Sequence, residues 1–445
     1  MNLCHELDID TPNELPPICR KFQKVPPHIR REDCSSGAYD PSGAYYPKMV
    51  SFGPYHHGQR KLQICEEVKH LALEMFVQGS NHNQEFFQAA VLREISEARD
   101  CYFDDSMEEY TDEQLARMML LDSCFLIYII YITVSPQSSQ EHHLGNYLPV
   151  FLRLGCLDRS LIFQDAFLME NQIPFKILMR LISLRYDDGG DMVSKFLQKV
   201  AWDKSDEPQH EHIKKRLQNS PPLHLLGALH AVLAWDKTPK NLQEQIQIYV
   251  RQSEGDMRKP PKAYRSAKDL KEKGIYFRCS PGGSLKAIKF SSFFFLGKLE
   301  LQPAYVSSLS RVVFLNLIAY ELCPNNALDY TVVCYVNFMK SLITSPADVK
   351  ELREKKVLLT SWTDEDVVRL YKDLDTFDIS ATIDSYNDVK QQIQKHYDSK
   401  IKTSMVQLYH KYFSSPWTAI AWFAGVFILV LTVVQTYFAV HPKSG

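Results

Sequence analysis

Residues 111–134, TDEQLARMMLLDSCFLIYIIYITV, decide how the rest of the chain is read. Thr111 and Gln114 stand three apart, ahead of an apolar run, which is the capping-box arrangement of a helix start. Leu115, Met118, Met119, Asp122 and Phe125 then follow at helical spacing. The most apolar part, Cys124–Val134, has 11 residues, about 16 Å as a helix and too short for a hydrocarbon core of ~30 Å. Extending it backwards brings in Asp122, an expensive group in lipid. The stretch therefore predicts a core helix, and with it a helical globular body.

The same periodicity recurs on either side. Val68, Leu71, Ala72, Met75 and Phe76 share one helix face. Residues 165–182 (DAFLMENQIPFKILMRLI) are interrupted at Ile173-Pro174, and Pro174 suits the first turn of a new helix. Leu223–Leu233 reads as a buried helix, and Thr363 with Asp364, Glu365 and Asp366 as another helix start. A small β patch is expected at 275–302, from strands Ile275–Cys279, Leu285–Phe290 and Lys298–Gln302 with a turn at Pro281-Gly-Gly283. Helical periodicity resumes at Val306. The expected class is mainly α: an irregular lead-in over 1–44, a helical domain over 45–412 with a polar loop or linker near 235–264, an apolar helix at 417–440 and a tail at 441–445.

Composition agrees with helix and excludes several functions. Glycine is 17 of 445 residues, well below the usual ~7%, which disfavours turn-dense all-β folds. With 51 Lys+Arg against 53 Asp+Glu there is no basic field for nucleic acid. The ten cysteines show no C-x-x-C spacing, so reduced core thiols are expected and zinc is not. No secretory signal stands at the N-terminus and no N-x-S/T sequon occurs.

Mean hydropathy is −0.26, as in a soluble protein, yet the average hides Trp417–Val440. These 24 residues carry no charge and make about 36 Å of helix, enough to span a bilayer with tilt. Trp417, Trp422 and Tyr437 lie toward its ends, as interfacial aromatics do. Lys400, Lys402 and Lys411 precede it and Lys443 follows, so a single-pass, tail-anchored chain with its main domain in the cytosol is expected. Ile401, Met405, Leu408, Tyr409 and Tyr412 share an apolar face that suits either the bilayer surface or the domain itself. Ala421 and Gly425, four apart and small, offer a face for self-association.

The familiar catalytic signatures are missing: no P-loop, no G-x-G-x-x-G, no H-E-x-x-H and no G-x-S-x-G. Two segments remain as candidate sites. One is the turn-like loop Gly53, Pro54, Tyr55, His56, His57 and Gly58, where Tyr55 and His56 are expected to pack or cap. The other is Glu170, Asn171 and Gln172, set between apolar runs; Asn171 and Gln172 are expected to cap the helix that starts at Pro174. An enzyme would have to use His56 or His57 with Glu170 or a nearby acid. The pairs His142-His143 and His210/His212 read as surface.

These segments together resemble the plant domain-of-unknown-function 247 family. The motifs are Tyr46–Gly58 (YPKMVSFGPYHHG) with Leu62 and Lys69, Leu121–Phe125 (LDSCF), Asp165–Pro174 (DAFLMENQIP), Arg265–Leu270 with Gly274–Phe277, Asn316–Glu321 (NLIAYE), and Phe338–Ile343 with Asp348-Val349. Each is modest alone, but the ordered set is specific and covers about 45–440. The resemblance implies a plant protein with one C-terminal membrane span and no known enzymatic activity or catalytic residues. Some grass members of the family are linked to pollen-side self-incompatibility, a role of particular members. The expected function is thus a non-enzymatic, membrane-tethered interaction or signalling protein. Its expected partners are the lipid bilayer and an unknown protein, with self-association through the span, no cofactor, no metal and no nucleic acid.

Overall fold

The computed structural model describes residues 21–30, 42–103, 107–135, 159–202, 209–235, 265–280, 283–323, 329–377, 385–399, 405 and 416–440. In chain order its main elements are α1 (Gln63–Gln78), α2 (Gln84–Leu92), α3 (Ile95–Asp100), α4 (Asp112–Val134), α5 (Phe175–Arg185), α6 (Gly189–Trp202), α7 (Gln209–Asn219), α8 (Leu225–Leu233) and α9 (Ala267–Glu272). Four strands follow: β1 (Ile275–Cys279), β2 (Lys289–Phe293), β3 (Leu296–Leu301) and β4 (Ala304–Val306). The remainder are α10 (Ser308–Leu322), α11 (Thr331–Leu342), α12 (Pro346–Glu354), β5 (Leu358–Thr360), α13 (Asp364–Asp373), α14 (Asn387–Tyr397) and α15 (Pro416–Val440). The protein is mainly helical, as expected, with two small sheets. It divides into two compact units, 1–233 with 308–332, and 234–307 with 333–445.

The first unit is built around α4. Thr111 Oγ1 accepts the Gln114 amide at 3.3 Å and Gln114 Oε1 accepts the Thr111 amide at 2.9 Å, so the capping box forms as the sequence predicts. From Met118 to Ile130 every residue is buried, which is the pattern of a central helix, apolar on all sides. Helices α1, α2, α3, α5 and α6 pack around it. Although α4 is long and apolar enough to cross a membrane, it is mostly buried within the protein and is a core helix. On α1 the buried stripe is Cys65, Val68, Lys69, Ala72, Leu73 and Phe76, while Leu71 and Met75 are only half-buried. The stripe is rotated from the expected face because Lys69 points inward.

In the second unit the sheet order is β1-β3-β2, with β1 parallel and β2 antiparallel to β3. The expected strand Leu285–Phe290 is displaced to 289–293, because Phe293 pairs with Leu296 and the chain reverses at Phe294-Phe295. Val306 does not begin a helix: it pairs with Thr360 in the parallel β4–β5 ladder, whose second strand periodicity did not reveal. Asp348 ties α9 to α12, accepting the Lys268 amide at 2.8 Å, the Ser345 amide at 2.9 Å and the Ser345 hydroxyl at 2.7 Å. Burial opposes its charge, but these donors hold its carboxyl below the usual range. Thr363 caps α13 as expected, accepting the Asp366 amide.

Helix α15 is continuous over Pro416–Val440. Its side chains are described at 420, 421, 423–437 and 440, so those of Trp417 and Trp422 lie outside the described set. The apolar stretch within it, Phe423–Tyr437, makes about 22 Å of helix, less than a hydrocarbon core by itself. Most of the expected lead-in, residues 236–264 where a polar loop or linker is expected, Pro281-Gly282, His142-His143, all of 400–415 except Met405 and residues 441–445 also lie outside the described residues.

If α4 is the core of the first unit, Phe125→Ala, at a fully buried position, should lower stability by about 3–5 kcal/mol. Thermal or denaturant unfolding measures this; a change within ~0.5 kcal/mol, the range for surface positions, would place α4 outside the core.

Candidate functional site

The segment from Tyr45 to Gly53 packs on the first unit without joining a sheet, Lys48 exposed and Val50–Gly53 buried. Tyr45, Val50, Ser51 and Phe52 are all buried, so their backbone groups need partners other than water or a strand ladder. Side chains from distant parts of the sequence supply them. One carboxylate, Asp165, accepts three successive amides: Lys48 at 3.0 Å, Met49 at 2.7 Å and Val50 at 2.9 Å. Asn171 Oδ1 accepts the Phe52 amide at 2.7 Å, and its Nδ2 donates to the carbonyls of Val50 and Asp165, both at 2.9 Å. Asp122 Oδ2 accepts the Gly53 amide at 2.7 Å.

Asp122 is itself neutralised. Its Oδ1 lies 2.6 Å from Lys69 Nζ, and both side chains are buried. Lys69 also donates to the Ser51 carbonyl at 2.7 Å and to Glu66 at 2.6 Å. Burial pulls the ammonium down, but the carboxylates of Asp122 and Glu66 outweigh it and hold Lys69 above its ordinary value. Burial, outweighing the three amides, pushes Asp165 up to about 6.

Gly53 sits at φ +72°, and a Cβ there would stand 2.5 Å from the Gln172 carbonyl and 2.9 Å from the Tyr102 hydroxyl. Only glycine fits that approach. Pro54–His56 follows as one 3-10 turn. Tyr55 packs edge-on to Tyr102 and accepts the Phe103 amide at 3.0 Å. His56 is buried, with Nδ1 2.9 Å from Gln59 Nε2 and its ring edge-on to Tyr46. His57 lies edge-on to Tyr110. Nε2 of His56 and Nδ1 of His57 are buried without a hydrogen-bond partner.

The expected capping role of Asn171 and Gln172 is not what forms. Helix α5 has no side-chain cap; Asn171 holds Phe52, and Gln172 Oε1 accepts the amide of Leu226 at 3.1 Å, in the first turn of α8. Gln172 Nε2 donates to the carbonyls of Ala166 at 2.9 Å and Leu168 at 2.8 Å, closing its own loop. Glu170 turns elsewhere, accepting the Val25 amide at 2.6 Å and pairing with Arg30. No hydrogen bond joins His56 or His57 to a carboxylate among the described residues. The fold thus brings Gly53, Asn171 and Gln172 together and sends Glu170 to Val25 and Arg30.

Four residues that complete this cluster were not among the sequence candidates as site residues: Lys69, Asp122, Asp165 and Asn316. Asn316 accepts the Met169 amide at 2.9 Å and donates to the carbonyls of Ala44 at 2.9 Å and Val312 at 2.8 Å. The available signal was a charge of each sign, Lys69 and Asp122, set within a buried helix face. Among the described residues one group, Asp191, His210 and Glu211, brings ligand atoms within 4.8 Å of one another. Asp191 already pairs with Lys195 at 2.6 Å, and His210 and Glu211, adjacent on α7, point about 100° apart. That is a poor cation site.

The geometry defines a helical protein organised by a buried polar hub that holds an irregular backbone segment. The chain belongs to the plant family designated domain of unknown function 247, described as "Plant protein of unknown function", which matches residues 23–431. It is 24% identical to the UPF0481 protein At3g47200 of Arabidopsis thaliana over 90% of this chain and 85% of the relative. It is 20% identical to the Putative UPF0481 protein At3g02645 of the same plant, over 88% and 87%. No solved structure matches the chain.

Two measurements test the hub. Lys69→Met strands a buried Asp122 carboxylate and should cost about 3–5 kcal/mol. Adding Asp122→Asn, which keeps an acceptor for Gly53, should restore about half; no recovery in the double variant would show that the two charges are not coupled. The histidines give a second test. Burial lowers His56 to about 4, against the nearby Glu170, and His224 to about 3. Below about 6.5 the unfolded chain takes up protons that the folded chain refuses, so each costs up to ~1.4 kcal/mol of stability per pH unit as pH falls toward 4. Asp165 acts oppositely below about 6, leaving a net loss of about one group's worth. NMR should find the His56 and His224 imidazoles neutral at pH 5; protonation there would contradict their burial.

Proposed function

We propose that the protein is a non-enzymatic module tethered to a membrane by α15, with its helical body presented to a protein partner. The observation that carries this reading is the environment of α15. It has no charged residue, and Ile420, Phe427, Ile428, Leu429 and Val433 are each about 60% exposed or more. Leaving a large apolar side chain in water costs roughly 1.5–3 kcal/mol, so a row of them calls for a cover. By contrast α4, also long and apolar enough to cross a membrane, is mostly buried in its own unit.

Two threonines on α15 suit lipid. Thr432 donates to the Ile428 carbonyl and Thr436 to the Thr432 carbonyl, both at 2.8 Å; in a bilayer such hydroxyls need partners within the helix. The full Pro416–Val440 helix is about 37 Å long, matching a tilted span. Lys400, Lys402 and Lys411 ahead of it favour a cytosolic body.

The non-enzymatic part of the reading is supported by where the hub's bonding capacity goes. Asp122, Asp165, Asn171 and Gln172 spend their oxygens on backbone amides, Asp122 also on Lys69, and Glu170 is held by Arg30 and Val25. These are positioning roles.

Membranes from plant cells expressing the tagged full chain test the tether. The protein should stay with the membrane in alkaline carbonate, and protease added to sealed vesicles should digest the body. Release by carbonate would end the tether reading. Protection of the body from protease would reverse its sidedness and favour recognition between cells.

A further inference from the structure

The β2–β3 hairpin ends in a feature that the fold does not use. Phe293 pairs with Leu296, leaving Phe294-Phe295 as a two-residue turn. Phe294 has φ +51°, where a two-residue hairpin turn ordinarily takes glycine, asparagine or aspartate and a bulky side chain is strained. Phe293 is 76% and Phe294 78% exposed, with the two rings edge-on at 4.6 Å. An aromatic pair is thus held out on a narrow convex tip, against backbone preference and without packing to offset it. Such an outlier points to a role outside the fold.

The surroundings identify the partner. Lys298 stands on β3 two residues beyond the closing pair and is paired with Glu300 at 2.6 Å, while Lys289 on β2 and Arg278 on β1 lie opposite Glu300 toward the base of the hairpin, which Lys286 precedes. Aromatic tips flanked by basic residues suit a bilayer interface with anionic headgroups. The hairpin is also tied to the approach to α15. Ser292 Oγ lies 2.9 Å from His396 Nδ1, and Phe290 is edge-on to the same ring near the end of α14. Only residues 398–415 separate that helix from Pro416, a reach of at most about 65 Å fully extended.

We propose that Phe293 and Phe294 form a wedge that inserts into the interfacial layer of the membrane holding α15, with the neighbouring lysines against anionic headgroups. This rests on the tether reading and adds a second contact that fixes how the body faces the bilayer. A convex tip two rings wide fits between lipids, whereas a protein or a second copy would have to bring a pocket to it.

The full chain, reconstituted in phosphatidylcholine vesicles containing phosphatidylserine, carries photoreactive benzoylphenylalanine in place of Phe293. After irradiation, mass spectrometry reads what is attached to that peptide, and carbonate extraction of a parallel sample reads the tether. The expected result is a lipid adduct that falls at least five-fold with Phe294→Gly, a change the turn's own backbone favours and which therefore keeps the hairpin folded. No lipid adduct from chain retained against carbonate overturns the wedge and leaves the tether standing. An adduct to protein alone also overturns it, in favour of a protein partner or a second copy. A lipid adduct from chain that carbonate releases ends the tether reading and overturns the wedge as a second contact beside α15, leaving a tip that meets lipid peripherally.

Discussion

A buried, non-repetitive backbone is the constraint on which the first unit depends. Between Tyr45 and Gly53 the chain packs on the first unit without a strand beside it, and five of its amides are met by the side chains of Asp165, Asn171 and Asp122. A buried amide left without a partner costs about 1–3 kcal/mol, so the buried amides of Val50, Phe52 and Gly53 alone weigh against a large part of a typical domain's stability. The polar residues of the hub are therefore required by the path of the backbone. Their arrangement follows: Asp122 accepts the Gly53 amide inside the core, Lys69 pairs with it there, and α1 turns its Lys69 face toward α4.

Most of the helical architecture was legible because its determinants are local. The capping box at Thr111 and Gln114 and the apolar run to Ile130 announce α4 within a single stretch. The hub was legible only as composition, three polar residues between apolar runs, and its bonding was misread. Gln172 lies next to α5 yet caps α8, and Asn171 reaches a residue 119 positions away. Proximity in sequence favours the neighbouring helix; only the folded path brings Leu226 and Phe52 closer. The β patch failed for a related reason. Its ladder register is set by a two-residue turn made of phenylalanines, which carries no glycine or asparagine signal, so the middle strand was placed several residues early. Strand β5 is three residues long and pairs across more than fifty positions, too short and too distant for periodicity to report.

Helices α4 and α15 show what apolar length alone does not decide. Both run for more than twenty residues, but α15 carries no charge whereas α4 carries Asp112, Glu113, Arg117 and Asp122. The difference is the polar residue each carries. In α4, Asp122 is matched by Lys69 and Gly53, groups that exist only inside the folded unit. In α15, Thr432 and Thr436 close on carbonyls of their own helix and ask nothing of the surrounding protein. A buried charge that needs tertiary partners ties its helix to a core, whereas a hydroxyl that closes on its own helix needs none.

The same reasoning separates the strained positions. Gly53 adopts a positive φ, and glycine is there because the Gln172 carbonyl leaves no room for a Cβ; backbone need and residue choice agree. Among the described residues three that are not glycine also have positive φ. Lys356 follows the end of α12, where a left-handed residue closes a helix. Phe377 is half-buried and its amide donates to Asp375 at 2.8 Å, so local bonding supports it. Phe294 has neither excuse, since its ring stands in the open at a turn where glycine would relieve the strain. Within the fold, then, strain at Gly53 serves packing, whereas strain at Phe294 serves no packing among the described residues, which turns the question of its cause to what the tip touches.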